Sequence, residues 1–234
     1  MDVDAVSTII KSFLRKHKQT TYQLSTNQSK ALELAVTIGV TEHYRSNGYE
    51  VSVVNPPKNP SAFVVKTSTR GYPWNFSKIL IARDSRLYEA HMNLMVSSAH
   101  DDGHYCVDVG VVKAGLVPDK QPAKPWKCAE NDSLVTFAEV KKLVVYPMLL
   151  AQFVGIVHEI LPSFIGGRLP YGFMSGDHLL PALASLGHFS GNATTIVNAY
   201  KKRNIRVAIA TNFDIQIARV RRGDQRSPFA YNDI

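Results

Sequence analysis

The chain has little cysteine. Cys106 and Cys128 are the two in 234 residues, too few for a disulfide framework and too far apart for a Cys-x-x-Cys metal site. A reducing compartment follows as the expectation, and the protein is expected to be cytoplasmic. No apolar run approaches the ~20 residues that cross a bilayer, so no membrane partner is expected. The opening "MDVDAVSTIIKSFLRKHK" is acidic first and then carries spread charge. It lacks the basic-then-apolar order of a signal peptide. Acidic residues are scarce too. Nineteen Asp and Glu stand against 27 Lys and Arg, a formal net charge of +8. A basic balance speaks to partners rather than to fold, and nucleic acid or an anionic surface is the usual one. The excess is uneven: from Lys201 onward eight basic residues face three acids. A solvated basic tail would look the same.

What remains is ordinary for a globular protein, 45% hydrophobic and 20% charged. Residues 4–16 have helical spacing at Val6, Ile9, Ile10 and Phe13. Leu32, Leu34, Ala35, Ile38 and Val40 mark a second helix, stopped by "SNG" and followed by the strand "YEVSVV". Strands are expected near 62–67 and 77–83, around the turn-rich "TSTRGYPWN". In "RLYEAHMNLMV", Tyr88, Ala90, Met92, Leu94 and Val96 alternate with Glu89, His91, Asn93 and Met95. That two-residue period, the turn cluster "SSAHDDGH" and then "YCVDVGVV" predict an antiparallel hairpin.

Residues 113–133 hold three prolines and four lysines, Lys113, Lys120, Lys124 and Lys127, and read as a long basic loop. "LVTFAEVKKLVV" follows as a buried strand interrupted by charge. After it "YPMLLAQFVGIVHEILP" reads as a helix with Pro147 in its first turn. "HLLPALASLG", despite Pro181, and "NATTIVNAYKKRN" are expected as helices, and "IRVAIAT" as a short buried strand.

Two strands carry charge where apolar residues belong. Asp108 lies in the middle of "CVDVGVV", where an unpaired buried carboxylate would cost several kcal/mol. Glu139 and Lys141 are two apart, so both leave the same face of their strand. Two explanations stand: a buried ion pair with a spare acid, or a site for a hard cation with a lysine beside it.

Asp108 in "YCVDVGVV" followed by Glu139-Val140-Lys141 in "TFAEVKKL" resembles the PD-(D/E)xK signature of restriction-endonuclease-like nucleases. The order of elements is also similar: helix, hairpin bearing the Asp, strand bearing Glu-x-Lys, helix, strand. Val107 stands where the signature has proline, and the Asp-to-Glu separation is 31 residues. The resemblance implies an α/β fold, a restriction-endonuclease-like mixed sheet flanked by helices. Here it would carry an N-terminal helical and strand extension, in one domain over 1–234 with a core of roughly 28–210.

It also implies an Mg²⁺-dependent nuclease, with Mn²⁺ as a substitute, that hydrolyses phosphodiester bonds of nucleic acid, DNA first. Asp108 and Glu139, with the carbonyl of Val140, would hold the metal, and Lys141 would serve the attacking water. Glu42, Glu89 and Gln152 are further candidates for the site. Glu42 could instead be an exposed helix charge, Glu89 part of a solvated sheet face, and Gln152 a surface residue. Lys113, Lys120, Lys124, Lys127, Arg219, Arg221 and Arg222 are candidates for holding the backbone of the nucleic acid. His158, His178 and His188 have no ligand spacing and read as structural. A homo-oligomer is compatible with this reading. The alternative is a non-catalytic nucleic-acid-binding or assembly subunit of the same fold.

Overall fold

A computed structural model describes residues 3–16, 20–21, 28–168, 173 and 177–211. The amphipathic N-terminal segment forms α1 (Val3–Lys16), and β1 (Thr20–Thr21) follows. The second periodic stretch forms α2 (Gln28–Ser46). From Leu32 to Thr41 this helix is buried all the way round, which requires cover on both sides. Ile10, Phe13 and Leu14 of α1 cover one side. The other lies on the sheet.

The sheet has seven strands in the order β2 (Glu50–Val54), β4 (Lys78–Arg83), β5 (Arg86–Ser97), β6 (His104–Lys113), β7 (Leu134–Lys141), β8 (Ala182–Ser185) and β9 (Ala208–Ala210). Pairing is antiparallel from β2 through β7 and parallel from β7 through β9. The α3 helix (Pro147–Ile160) joins β7 to β8, and α4 (Ala193–Lys202) joins β8 to β9. Both pack on the face opposite α2 and share a second core with Phe137, Leu183 and Ile209. The expected mixed α/β sheet flanked by helices, with a helical and strand extension at its N-terminus, is what the chain forms.

Three local expectations are corrected. The strand expected over 62–67 shrinks to β3 (Ala62–Phe63), which pairs in parallel with β1 outside the main sheet. "HLLPALASLG" is not a helix. Its centre is β8, buried at all four positions between β7 and β9. A short apolar run is ambiguous between buried helix and buried strand, and pairing on both edges decides for strand. Pro181, which lacks an N–H, sits just before the strand and accepts from Ala208 N at 2.9 Å.

The third correction is the face of β5. Ala90 and Met92 lie in the core beneath α2, but Leu94 and Val96 lie in the core beneath α3. Alternation breaks at Asn93, whose φ is +49°, a left-handed conformation that asparagine tolerates better than most residues. Across the ladder Met92 pairs with Val109 and Leu94 with Val107. The irregular point therefore lies beside Asp108.

Candidate active site

The ladder between β6 and β7 runs from Val112/Leu134 to Val109/Ala138. β7 continues beyond that point, paired with β8 through Glu139, Val140 and Lys141, while β6 keeps its bonds to β5. The two strands part at Asp108. The Asp108 carboxylate takes the place that a backbone carbonyl would fill: Oδ2 accepts the Val140 N–H at 2.7 Å. The same oxygen accepts from Lys141 Nζ at 3.3 Å, and Lys141 Nζ donates to Glu139 Oε2 at 2.7 Å. The 31-residue separation thus closes to hydrogen-bond contact. Asp108, Glu139 and Lys141 meet in the fork between the strands. Val140 turns its side chain into the core and meets Asp108 through its N–H.

Glu139 is 5% exposed, and its Oε1 is buried without a partner. Burial, and then the charge of Asp108, push its pKa up to about 7, against the pull of Lys141. For Lys141 burial opposes the ammonium, but the charges of Glu139 and Asp108 outweigh it and raise the pKa. Two carboxylates with a spare buried oxygen form a hard donor set that suits Mg²⁺ or Mn²⁺. Mg²⁺ needs one or two carboxylates when waters and a phosphate complete its shell. Among the described residues, no three or more His, Cys, Asp or Glu side chains converge as a closed cage.

The α2 acid that bonds to the sheet beside this fork is Glu33, through Asn93, whereas Glu42 is bonded to Arg45. Glu33, buried on α2, accepts from Lys30 Nζ at 2.8 Å and from Asn93 Nδ2 at 3.0 Å. Asn93 also donates to the carbonyl of Lys66 and accepts from Lys66 Nζ at 2.6 Å. Lys66 is 5% exposed, and burial lowers its pKa. The Cys106 thiol, two residues before Asp108, lies within electrostatic reach of both groups. Burial pushes it up to about 11, and it feels the charges of Lys66, Asp108, Glu139 and Glu33. Sequence spacing passed over Glu33 because it sits among Leu32, Leu34 and Ala35. A carboxylate inside so apolar a stretch was the available signal.

The remaining candidates lie apart from the fork or outside the described residues. Glu42 is held by Arg45, one turn on in α2. Glu89 is not on a solvated face: it is buried against Lys78 at 2.7 Å and His91 at 3.1 Å, and Lys78 also binds Asp119. Burial acts to raise the Glu89 pKa, but His91 and Lys78 reverse this and lower it. Gln152 is exposed on α3. Lys113 is exposed and donates to the carbonyl of Asp132 at 3.0 Å, and Lys120, Lys124 and Lys127 are exposed on the loop after β6. Arg219, Arg221 and Arg222 lie outside the described residues. His178 packs against Tyr44 and Tyr88.

No family model matches the chain, and no curated protein is similar to it in sequence. Among solved structures, the MspJI restriction endonuclease in complex with a 27-mer oligonucleotide is similar, with 11% identity and a TM-score of 0.33. The match covers 93% of this chain and 32% of that one, so this chain spans about a third of that protein's length.

Proposed function

We propose that the chain is a metal-dependent nuclease of the PD-(D/E)xK kind, acting on DNA phosphodiesters. The observation that carries the reading is the convergence of Asp108, Glu139 and Lys141 where β6 leaves β7, with Glu139 Oε1 unpartnered. Asp108 and Glu139 would hold Mg²⁺ or Mn²⁺, with Val140 in reach through its backbone. A bound divalent cation neutralises charge on a phosphoryl oxygen and lowers the pKa of its water. Lys141 then has two tasks. Its side chain is one-third exposed, its Nζ orients the attacking water, and its charge stabilises the negative charge that develops on the phosphoryl group. Glu33 and Lys66 shape the field beside the fork. Apart from Lys66, which lies just after β3, these groups stand on strands and a buried helix, so little reorganisation accompanies the reaction. The exposed lysines after β6 would hold the backbone through counterion release.

The test is incubation with plasmid, single-stranded DNA and RNA, each with Mg²⁺, Mn²⁺ or EDTA. Cleavage that needs the metal and disappears in Lys141→Ala is the expected result. No cleavage under any condition would refute the reading. Replacing Lys120, Lys124 and Lys127 by glutamine should flatten the salt dependence of duplex binding, by about 0.9 in log–log slope for each phosphate no longer neutralised. An unchanged slope would remove that loop from the interface.

A second reading has an observation of its own. Lys141 already bridges both carboxylates, as a structural ion pair would. A binding or assembly subunit of this fold would show no carboxylate-dependent metal affinity.

A further inference from the structure

Both tryptophans of the chain lie in one aromatic ladder, on two loops that are separate in sequence. Tyr72 stacks on Trp74 with centroids 4.5 Å apart and 5° between the planes, and Trp74 meets Trp126 edge to face at 6.2 Å. Tyr72 is 51% exposed, and Trp74 and Trp126 are half-buried. A ring stacked so flat and left half open is poor economy for a core, but it suits a platform that awaits another flat ring. Exposed cations flank it at both ends: Arg70 two residues before Tyr72, and Lys124 and Lys127 around Trp126. Beyond Trp126 lies a cavity of about 590 Å³, lined among others by Ser97, His104, Asn131 and the acids Asp101, Asp102 and Glu130. Those acids repel phosphate. Lys127 lines that cavity together with the acids, so a strand would run its backbone along the Arg70 and Lys124 side.

The ladder is anchored to the sheet that carries the fork. Three residues after Trp126, Ala129 donates to Met95 O at 2.8 Å and accepts from Ser97 N at 2.9 Å. Met95 pairs with Cys106, two residues before Asp108. The anchoring backbone is thus about two strand spacings, roughly 10 Å, from the strand bearing Asp108. The loop bearing Tyr72 and Trp74 begins just past Lys66, which is bonded to Asn93 beside Asp108.

We propose that Tyr72, Trp74 and Trp126 form a stacking platform for unpaired bases, so that the substrate class is nucleic acid with a single-stranded stretch. This rests on the nuclease reading for the chemistry but not for the binding. Aromatic stacking with flanking cations holds unpaired bases without regard to sequence, whereas the bases of an intact duplex offer no free face.

Because both tryptophans stand in the ladder, tryptophan emission excited beyond the tyrosine absorption band reports on it alone. The wild-type chain in EDTA is titrated with fluorescein-labelled oligo(dT), with oligo(rU) and with a blunt duplex of equal length. Anisotropy follows binding, and unlabelled strands are used to follow tryptophan emission. The expected result is quenching by oligo(dT) or oligo(rU), the stronger of the two telling DNA from RNA, and none by the duplex. Tyr72→Ala should weaken single-strand binding about tenfold, from stacking worth about 1–3 kcal/mol per base. It should leave the melting temperature and duplex binding unchanged, and Tyr72→Phe should behave as wild type. Single-strand binding without quenching, equal affinities of Tyr72→Ala and wild type, or no single-strand binding overturns the proposal. Metal-dependent plasmid cleavage lost in Lys141→Ala would leave the nuclease reading intact in each of those cases.

Discussion

Replacing Lys141 by alanine probes the fork most directly, because the two explanations of the charged strand predict different responses to metal. At pH 8, above the value of about 7 for Glu139, the metal-free fork holds the ionised Glu139 beside the Asp108 carboxylate. Lys141 Nζ holds them at 2.7 and 3.3 Å. Removing one partner of a fully buried pair costs about 3–5 kcal/mol. The Lys141 side chain is 34% exposed, so water screens part of the loss, and about 2–3 kcal/mol is the expected cost in EDTA. For a chain of this length that lowers Tm by roughly 5–10 °C. A cation placed between the carboxylates supplies what the lysine supplied, so Mg²⁺ should return most of the loss.

Asp108→Asn behaves differently. It keeps an oxygen for the Val140 N–H and removes the charge beside Glu139, so its Tm in EDTA should equal or exceed that of wild type. Mg²⁺ should then do little for it. Asp108→Ala would be a poorer probe, because it leaves the Val140 N–H without its acceptor at a cost of about 1–3 kcal/mol. The assay is a thermal melt of the three proteins in EDTA and in Mg²⁺, beside plasmid cleavage. A melt of Lys141→Ala that matches wild type in EDTA would refute the energetic argument. A loss in Lys141→Ala that Mg²⁺ does not repair, with wild type equally indifferent to Mg²⁺, would leave a structural ion pair.

Three more outcomes are expected. Glu33→Gln should reduce cleavage while Glu42→Gln leaves it unchanged, since Glu33 reaches Asn93 and Glu42 is held by Arg45; equal activities would remove Glu33 from the site. Asn93→Ala should cost about 2–3 kcal/mol in urea unfolding, part from a left-handed backbone and part from the missing partner of Glu33, and Asn93→Gly should recover about 1 kcal/mol of it; identical losses would show that the backbone conformation costs little. His43 is buried beside His178 and Asp177. Burial, and then the charge of His178, lower its pKa from 6.5 to about 4, so the unfolded chain binds its proton first as pH falls. Its stabilising effect is full above pH 6.5, is lost between 6.5 and about 4, and is worth up to roughly 3 kcal/mol. His43→Leu should flatten that part of the stability–pH curve, and an unaltered slope would show that other groups govern it.

The elements that periodicity described were legible where local pattern and tertiary packing agree. α1, α2, the β5–β6 hairpin, α3 and α4 fall where their spacing placed them. The pairing of Glu139 with Lys141 was legible for the same reason, because two residues on one strand share a face whatever the rest of the chain does. Three features were not readable along the chain. A four-residue apolar run such as Ala182–Ser185 carries no period of its own, and its neighbours β7 and β9 make it a strand. The turn of β5 at Asn93 reverses which core Leu94 and Val96 enter, and it depends on Glu33 and Lys66 bonding to Asn93 across distances no window spans. The contact of Asp108 with Lys141 is a property of the fork, where two strands part and a carboxylate fills the missing backbone bond. Sequence alone determined which groups carry charge and which faces their own strands present. Only tertiary structure decided which of them meet, because burial and strand pairing set the cost of leaving each charge alone.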